Sequence, residues 1–228
     1  MSRVIFDIET VGMDFDSLDP SVREYLLKGV ATEEEEKKVR ESLSFYPLTG
    51  QVVAIGMLNP DTNKGAVYFQ NPGDPLLSFE EDGIRYESGT EKEILDKFWS
   101  AVRAYSSFVT FNGRVFDCPF LLVRSAVNRV KPSRDLMPNR YNGAHIDLLD
   151  QLTFYGAAKR RFSLDMWCRT FAIKSPKADG ITGYEVGSLF HAGRCSDIAR
   201  YCAGDLRATR ELLLIWETYM RFNGASGG

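Results

Sequence analysis

The sequence predicts an α/β fold, in which a mixed β-sheet carries helices on both faces. Apolar, β-prone runs prevail in the first 70 residues, apart from one charged insertion, and strand and helix patterns alternate up to about residue 150. Helical patterns fill most of the remainder of the 228-residue chain. A sheet with apolar faces needs covering layers, and these helices supply them. We expect one domain over 1–222 and a flexible tail at 223–228.

Apolar and β-branched runs bounded by turn residues predict the strands. In chain order they begin with the run at Val4 and continue with 51–58, 65–70, 83–87 and 107–111. The first three are expected to form an antiparallel meander, because the turn-forming segment 59–63 joins the second strand to the third. A further ordered segment is expected at 145–149.

Helical periodicity and capping signals predict the helices. Thr90 and Glu93 form a capping box that opens a helix ending near Ala104. The other predicted helices cover 116–127, 163–171, 186–191 and 196–220.

A charged helical insertion is predicted at 17–43. Glu33 and Lys37, like Glu34 and Lys38, are i,i+4 pairs with the acid nearer the N-terminus, which is the favourable order. A solvated helix face explains this pattern, and a partner-binding arm is the alternative.

Composition excludes several classes of protein. The net charge of −3 argues against a protein that grips long duplex DNA through a broad basic surface. No apolar run approaches the roughly 20 residues that span a bilayer, and a strand at the very start predicts no signal peptide. The four cysteines form no C-x-x-C pair, so reduced thiols in a cytoplasmic protein are expected and a zinc site is not.

Two acids follow the first apolar run. Asp7 and Glu9 occupy positions i and i+2 of a strand, so both carboxylates project from one face. Two like charges held this close repel each other unless a cation lies between them. Hard oxygen ligands favour Mg²⁺ or Mn²⁺. The alternative is a strand that ends in two solvated acids.

Two further acids lie far along the chain. Asp117 follows a strand and a glycine-containing turn and begins a helix, where it would also serve as an N-terminal cap. Asp205 shares a face of the last helix with Tyr201, four residues earlier. Taken alone, this second pair is explained by a polar contact at the margin of the core.

Together these segments resemble the three exonuclease motifs of the DEDD superfamily. The motifs occur in the family's order, as Asp7-x-Glu9, Asn112-x-x-x-Phe116-Asp117 and Tyr201-x-x-x-Asp205. The resemblance extends over most of the chain and is closest to stand-alone relatives of the proofreading domain of family-B DNA polymerases. Position 200 is arginine rather than the histidine of the other branch, so the chain resembles the tyrosine branch, DEDDy.

The resemblance implies an RNase H-like fold and a metal-dependent site. In such a site Asp7, Glu9, Asp117 and Asp205 hold two divalent cations, Mg²⁺ or Mn²⁺, with Asp7 bridging them and Asp117 acting directly or through a water. Cations about 3.5–4 Å apart suit in-line displacement at a phosphodiester. Tyr201 is expected to orient the attacking water rather than act as a base.

The resemblance also implies contacts to the substrate. Thr10 is expected to read the terminal 3′ hydroxyl, and Asn112 and Phe116 to contact or stack the last nucleotides. For Phe116, a core position is the alternative. Arg114 is expected near a backbone phosphate. The basic loop at 129–141 either guides a single strand or is merely solvated.

The implied activity is 3′→5′ exonucleolytic hydrolysis of single-stranded nucleic acid, with release of nucleoside monophosphates. DNA is favoured over RNA because of the polymerase-like motifs. The alternatives are an RNA-trimming exonuclease and a catalytically idle nucleic-acid-binding member of the fold. A proofreading role would be exerted in trans, in association with replication or repair proteins.

Overall fold

A computed structural model describes residues 2–141, 143–175, 183 and 185–221. Within these ranges the strands are β1 (Arg3–Gly12), β2 (Gly50–Asn59), β3 (Lys64–Gln70), β4 (Ser78–Glu81), β5 (Ile84–Gly89), β6 (Ser107–Thr110) and β7 (His145–Asp147). They form one sheet in the order β4-β5-β3-β2-β1-β6-β7. Strands β1, β2 and β3 pair antiparallel, whereas β1, β6 and β7 pair parallel. The predicted mixed sheet and meander are confirmed.

The helices of the described residues follow the predicted positions closely, except that the short helix at 148–152 was not predicted. They are α1 (Pro20–Leu26), α2 (Glu33–Ser42), α3 (Glu91–Val102), α4 (Asp117–Val127), α5 (Leu148–Leu152), α6 (Leu164–Thr170), α7 (Val186–His191) and α8 (Cys195–Tyr219). Thr90 and Glu93 make the predicted capping box at the start of α3. None of these helices is both long and apolar enough to cross a bilayer. The predicted tail at 223–228 lies outside the described residues.

Strand β1 is buried on both faces, and its side chains alternate between two cores. Val4, Phe6 and Ile8 pack on the side that holds α3 and α4. Ile5 and Val11 pack on the other side, beneath α8. Because side chains alternate along a strand, the two acids between Ile5 and Val11 point towards α8 as well.

Helix α8 crosses the sheet closely at Gly56 of β2. Gly56 is paired with Asp7 of β1. A Cβ atom at Gly56 would lie 2.7 Å from Cδ1 of Leu206 and 2.8 Å from Sγ of Cys202, both on α8. Such distances are too short for a side chain, so glycine permits the approach that brings α8 onto the acids of β1.

Three local features differ from the sequence prediction or add to it. The helical insertion predicted at 17–43 consists of two helices, α1 and α2. In α2, Lys38 pairs with Glu34 at 2.8 Å as expected, but Lys37 lies 3.7 Å from Glu41 rather than pairing with Glu33. These groups are exposed, so the exchange of partners has little energetic weight. Strand β4 was not predicted at all.

Candidate active site

The two acids of β1 lie under α8 with different exposure. Asp7 is half-buried, and Glu9 is only 7% exposed. The β1–β2 register shifts between Glu9 and Thr10, which pair with Ala54 and Val52. Within the described ranges, no hydrogen bond or ion pair satisfies the Glu9 carboxylate. Burial of such a group is costly unless a ligand compensates its charge.

Asp117, the first residue of α4, supplies a third buried carboxylate. Its Oδ1 accepts a hydrogen bond from the Ile8 backbone N–H at 3.1 Å, which joins the start of α4 to β1 between the two strand acids. The N-cap position of α4 is occupied by Phe116. Asp117 is therefore directed at β1, and the capping alternative does not account for it.

Helix α8 contributes the fourth carboxylate and a phenol. Tyr201 and Asp205 lie one turn apart and are hydrogen-bonded to each other. Desolvation, with the negative charge of Asp205 adding to it, raises the pKa of Tyr201 far above its ordinary value. The phenol therefore keeps its proton at neutral pH, which excludes a role as general base and leaves it a hydrogen-bond donor.

Cys202 also faces this cluster, and the sequence reasoning missed it. Its buried Sγ lies 3.8 Å from the backbone oxygen of Asp7 and 4.0 Å from Oδ2 of the same residue. One ligand atom each of Asp7, Glu9 and Cys202 falls within 4.8 Å of the others. The available signal was its spacing from Asp205, because residues three apart on a helix are neighbours on its surface. Burial and the surrounding carboxylates raise the pKa of the thiol, so it stays neutral.

The four carboxylates repel one another electrostatically. The pKa values of Asp7 and Glu9 are raised well above normal, first by desolvation and then by the other acids. Desolvation also raises the pKa of Asp117, to about 7. For Asp7 the contributing charges are those of Asp117, Asp205 and Glu9. Carboxylate oxygens are hard donors, and a set of them whose negative charges act on one another fits Mg²⁺ or Mn²⁺.

The turn before Asp117 is fixed by a buried aspartate. The Asp147 carboxylate accepts from the backbone N–H groups of Asn112 at 3.0 Å and Arg114 at 2.9 Å. It also accepts from Leu149 N–H at 3.0 Å, at the start of α5. Asn112 has a φ of 64°, a left-handed conformation that asparagine tolerates better than most residues. Asp147 thus positions the segment that carries Asn112 and Asp117.

Thr10, the residue after Glu9 in β1, lines a cavity. Its hydroxyl donates to the Ser44 carbonyl at 2.7 Å, which leaves the oxygen lone pairs as acceptors. The cavity measures about 410 Å³ and is lined by Thr10, Ser44, Phe45 and His191 among others. This volume is large enough for a mononucleotide-sized group, although the described residues that line the cavity include none of the four clustered acids.

Other predicted contact residues have structural partners. The Arg114 guanidinium donates to the Pro138 carbonyl at 3.0 Å. Phe116 is half-buried, and its ring centroid lies 5.5 Å from that of Phe120. Part of its side chain therefore packs against the core, as the alternative predicts. Arg134 of the basic loop donates to backbone carbonyls that precede β6, and it is thereby held in place rather than merely solvated.

Comparisons with known proteins agree with this geometry. A family model described as "Predicted 3′-5′ exonuclease related to the exonuclease domain of PolB" matches residues 76–227. The structure is similar to that of the family B DNA polymerase from the hyperthermophilic archaeon Pyrobaculum calidifontis, with 18% identity and a TM-score of 0.54. That match covers 96% of this chain and 24% of the polymerase, so the chain spans about a quarter of the polymerase's length, and the likeness supports the fold. No curated protein matches the chain.

Proposed function

The chain belongs to the family of predicted 3′-5′ exonucleases related to the exonuclease domain of PolB, and we propose that it degrades single-stranded nucleic acid from its 3′ end. The products are nucleoside monophosphates, and DNA is the favoured substrate. The observation that carries this proposal is that four acids from β1, α4 and α8 lie close enough to influence one another's charge, namely Asp7, Glu9, Asp117 and Asp205.

These four residues would hold two divalent cations. When bound, such ions lower the pKa of water and offset the charge of the phosphodiester. Asp7 interacts electrostatically with the three other acids, which supports a shared position between two ion sites. The Ile8 N–H fixes one oxygen of Asp117 and leaves the other available for a direct or water-mediated contact.

Tyr201 orients the reacting groups. Its phenol remains protonated and donates to Asp205, so it holds that carboxylate in place and presents an oxygen lone pair to a neighbouring water. Cys202 packs against Asp7 as a neutral thiol and excludes solvent from the inner side of the cluster.

The substrate end occupies the cavity beside Thr10. We assign Thr10 to the terminal 3′ hydroxyl, because Thr10 is one of the residues that line the cavity. Asn112 contacts the last nucleotides, and the exposed edge of Phe116 stacks on a base. For Arg114, whose guanidinium is engaged with a backbone carbonyl, a phosphate contact requires exchange of that partner.

Two other functions remain in competition with this one. An RNA-trimming exonuclease would use the same acids and differ in its contacts to the 2′ hydroxyl. A catalytically idle nucleic-acid-binding protein is disfavoured by the presence of every acid together with Tyr201. Cytoplasmic location and action in trans with replication or repair proteins are predictions of the same proposal.

The test is a time course on matched 5′-end-labelled single-stranded DNA, single-stranded RNA and duplex DNA, with Mg²⁺ or Mn²⁺. We expect a ladder that shortens from the 3′ end, nucleoside monophosphate products, and faster decay of single-stranded DNA. Internal cuts alone, or shortening from the 5′ end, would contradict the directional claim. Faster decay of RNA would indicate an RNA-trimming exonuclease. No cleavage of any of the three substrates, with or without metal, would indicate the idle binding protein.

A further inference from the structure

Exposed aromatic rings and cations lie side by side along the outer edge of the sheet, next to β7. We call this group the aromatic–basic surface, and its members are Arg140, Tyr141, Phe154, Tyr155 and Arg161. The three aromatic side chains are 73%, 58% and 42% exposed, in chain order. Aromatic rings alternating with cations are typical of surfaces that bind single-stranded nucleic acid, in which bases stack and phosphates pair with cations.

The surface is continuous with the candidate active site. Nη2 of Arg161 donates to Oδ1 of Asn112 at 2.8 Å. Arg161 also lies 4.0 Å from the Asp150 carboxylate, and Arg140 lies 3.0 Å from the same carboxylate. Two guanidinium groups therefore share one buried acid, which leaves an excess positive charge on a path that begins at Asn112.

The aromatic part continues this path. The rings of Tyr141 and Tyr155 lie 5.1 Å apart between centroids, and the Tyr155 hydroxyl accepts from Nε2 of Gln151 at 2.8 Å. Together with Phe154 and Trp216, they line a cavity of about 430 Å³. This cavity is large enough for a nucleobase, and several of the residues that line it carry rings on which a base can stack.

The backbone that presents two of these rings is strained. Phe154 and Tyr155 have φ angles of 50° and 55°, in the left-handed region that bulky residues avoid. Each such residue costs about 1–3 kcal/mol. Here the strained conformation turns both rings towards solvent instead of burying them, so hydrophobic packing does not explain it.

Further cations flank the surface. Lys159 and Arg160 are exposed and adjoin Arg161 in the chain. The Arg160 guanidinium lies 4.9 Å from the ring centroid of Phe162. In a protein whose net charge is −3, this local excess of positive charge favours a polyanionic ligand over a neutral one.

We propose that the aromatic–basic surface binds the part of a single strand that lies 5′ of the nucleotides held at the active site. Bases stack on Tyr141 and Tyr155, while Arg140 and Arg161 contact the phosphates between them. The direction of the strand rests on the proposed function, since it assumes that the 3′ end is held beside Glu9.

The experiment measures binding of fluorescent single-stranded DNA by anisotropy in EDTA, so that no strand is degraded. Two lengths are compared, about 4 and about 16 nucleotides, the range over which such surfaces engage a strand. The double variant Tyr141→Ala/Tyr155→Ala should bind the longer strand about tenfold or more weakly, since each stacked base is worth roughly 1–3 kcal/mol. Binding of the shorter strand should be unchanged.

Tyr25→Ala is the matched control, because Tyr25 is 77% exposed on α1, away from this surface. It should bind both strands like the wild type. Equal affinity of the double variant and wild type for the longer strand would overturn the inference, as would an equal loss in the control. Arg140→Gln should lower the salt slope of log affinity by about 0.7, the value for one lost phosphate contact on a single strand.

Hydrolysis of the same strands separates this inference from the proposed function. Normal 3′-end hydrolysis by a double variant whose KM for the longer strand equals that of the wild type would refute the surface and leave the exonuclease intact. Length-dependent loss of binding, in a protein that releases no mononucleotide, would support the surface and refute the exonuclease.

Discussion

Two glutamates of nearly equal burial lie on opposite faces of the sheet and have opposite surroundings. Glu91, 8% exposed, accepts from Nε and Nη2 of Arg124 at 2.9 and 2.7 Å. It also accepts from Nδ2 of Asn128 at 2.9 Å and from Val52 N–H at 2.8 Å. Glu9, 7% exposed, has other carboxylates as its charged neighbours instead.

This difference separates a structural acid from a functional one. The charge of Glu91 is balanced inside the protein, so breaking its pair should cost stability. The charge of Glu9 adds to those of Asp117 and Asp205, and the chain supplies no cation to it within the described residues. Folding therefore balances the charge of Glu91, whereas the proposed cations would balance that of Glu9.

The largest expected effect is that of Asp7→Asn on catalysis. Loss of the acid that faces the three others should lower kcat for mononucleotide release more than about 1000-fold, because the ions lose their shared ligand. In EDTA at pH 7.5 the same change should raise Tm, since it removes repulsion. Activity is measured by product release and stability by thermal melting.

Asp96→Asn is the matched control for that change. Asp96 is about half exposed on α3 and accepts from Lys92 at 2.7 Å. It should leave both kcat and Tm close to wild type. Full activity of Asp7→Asn, or a Tm in EDTA below that of the wild type, would contradict the distinction between functional and structural acids.

Arg124→Met should have the next largest effect, on stability. It leaves Glu91 buried without its counter-charge, which should lower the free energy of unfolding by about 3–5 kcal/mol. Urea denaturation measures this change. kcat per folded molecule should stay near wild type, because Arg124 lies on the face away from α8. A variant that is as stable as the wild type but inactive would contradict the view that Glu91 serves stability and the acids beneath α8 serve catalysis.

The acid cluster should also make stability depend on pH and metal. The folded-state pKa values of Asp7, Glu9 and Asp117 are raised, that of Asp117 to about 7, whereas unfolded carboxyls titrate near pH 4. The folded protein thus binds more protons, so the cluster's contribution is fully present below about pH 4 and is lost as pH rises towards 7.

Divalent cations should restore at neutral pH the stability that is lost there. At a concentration 100 times Kd, binding stabilises the folded state by about 2.7 kcal/mol. Melting in EDTA and in Mn²⁺, at pH 5 and pH 7.5, should show the larger metal-induced rise in Tm at pH 7.5. Equal shifts at both pH values, or equal shifts in the Asp7→Asn protein, would show that the cluster is not where the metal acts.

Tyr201→Phe should have the smallest effect of the four. The ring remains but the hydrogen bond to Asp205 is lost, and the loss of such a partner of a metal ligand typically costs about 10- to 100-fold in activity. The reduction should appear in kcat rather than KM. Abolished activity in Tyr201→Phe together with retained activity in Asp7→Asn would reverse the roles of phenol and carboxylate.

The fold was predictable where local pattern and tertiary packing agree. The run at Val4–Phe6 predicts a strand buried on both faces, and β1 has that burial. Strand β4 escaped prediction because Ser78–Glu81 is a short, polar segment whose ladder depends on pairing with β5. The exchange of Lys37 from Glu33 to Glu41 depends on rotamers that residue spacing does not specify.

The sequence motif predicted which residues belong to the site, but it did not predict their hydrogen-bond partners. Spacing placed Asp7 and Glu9 on one face, but no spacing rule brings Ile8 N–H to Asp117 or Asp147 to the turn at Asn112. Those contacts join segments far apart in the chain. The roles assigned to individual site residues remain predictions, as do the domain limits.

The central claim is that the acids beneath α8 form a metal centre, and Mn²⁺ titration by calorimetry tests it most directly. Wild-type protein at pH 7.5 should bind Mn²⁺ and release protons, because the raised pKa values leave part of the cluster protonated. Asp7→Asn should bind much more weakly and Arg124→Met, under conditions in which it is folded, like wild type. Absence of Mn²⁺ binding to the wild type, or equal binding by Asp7→Asn, would contradict the account.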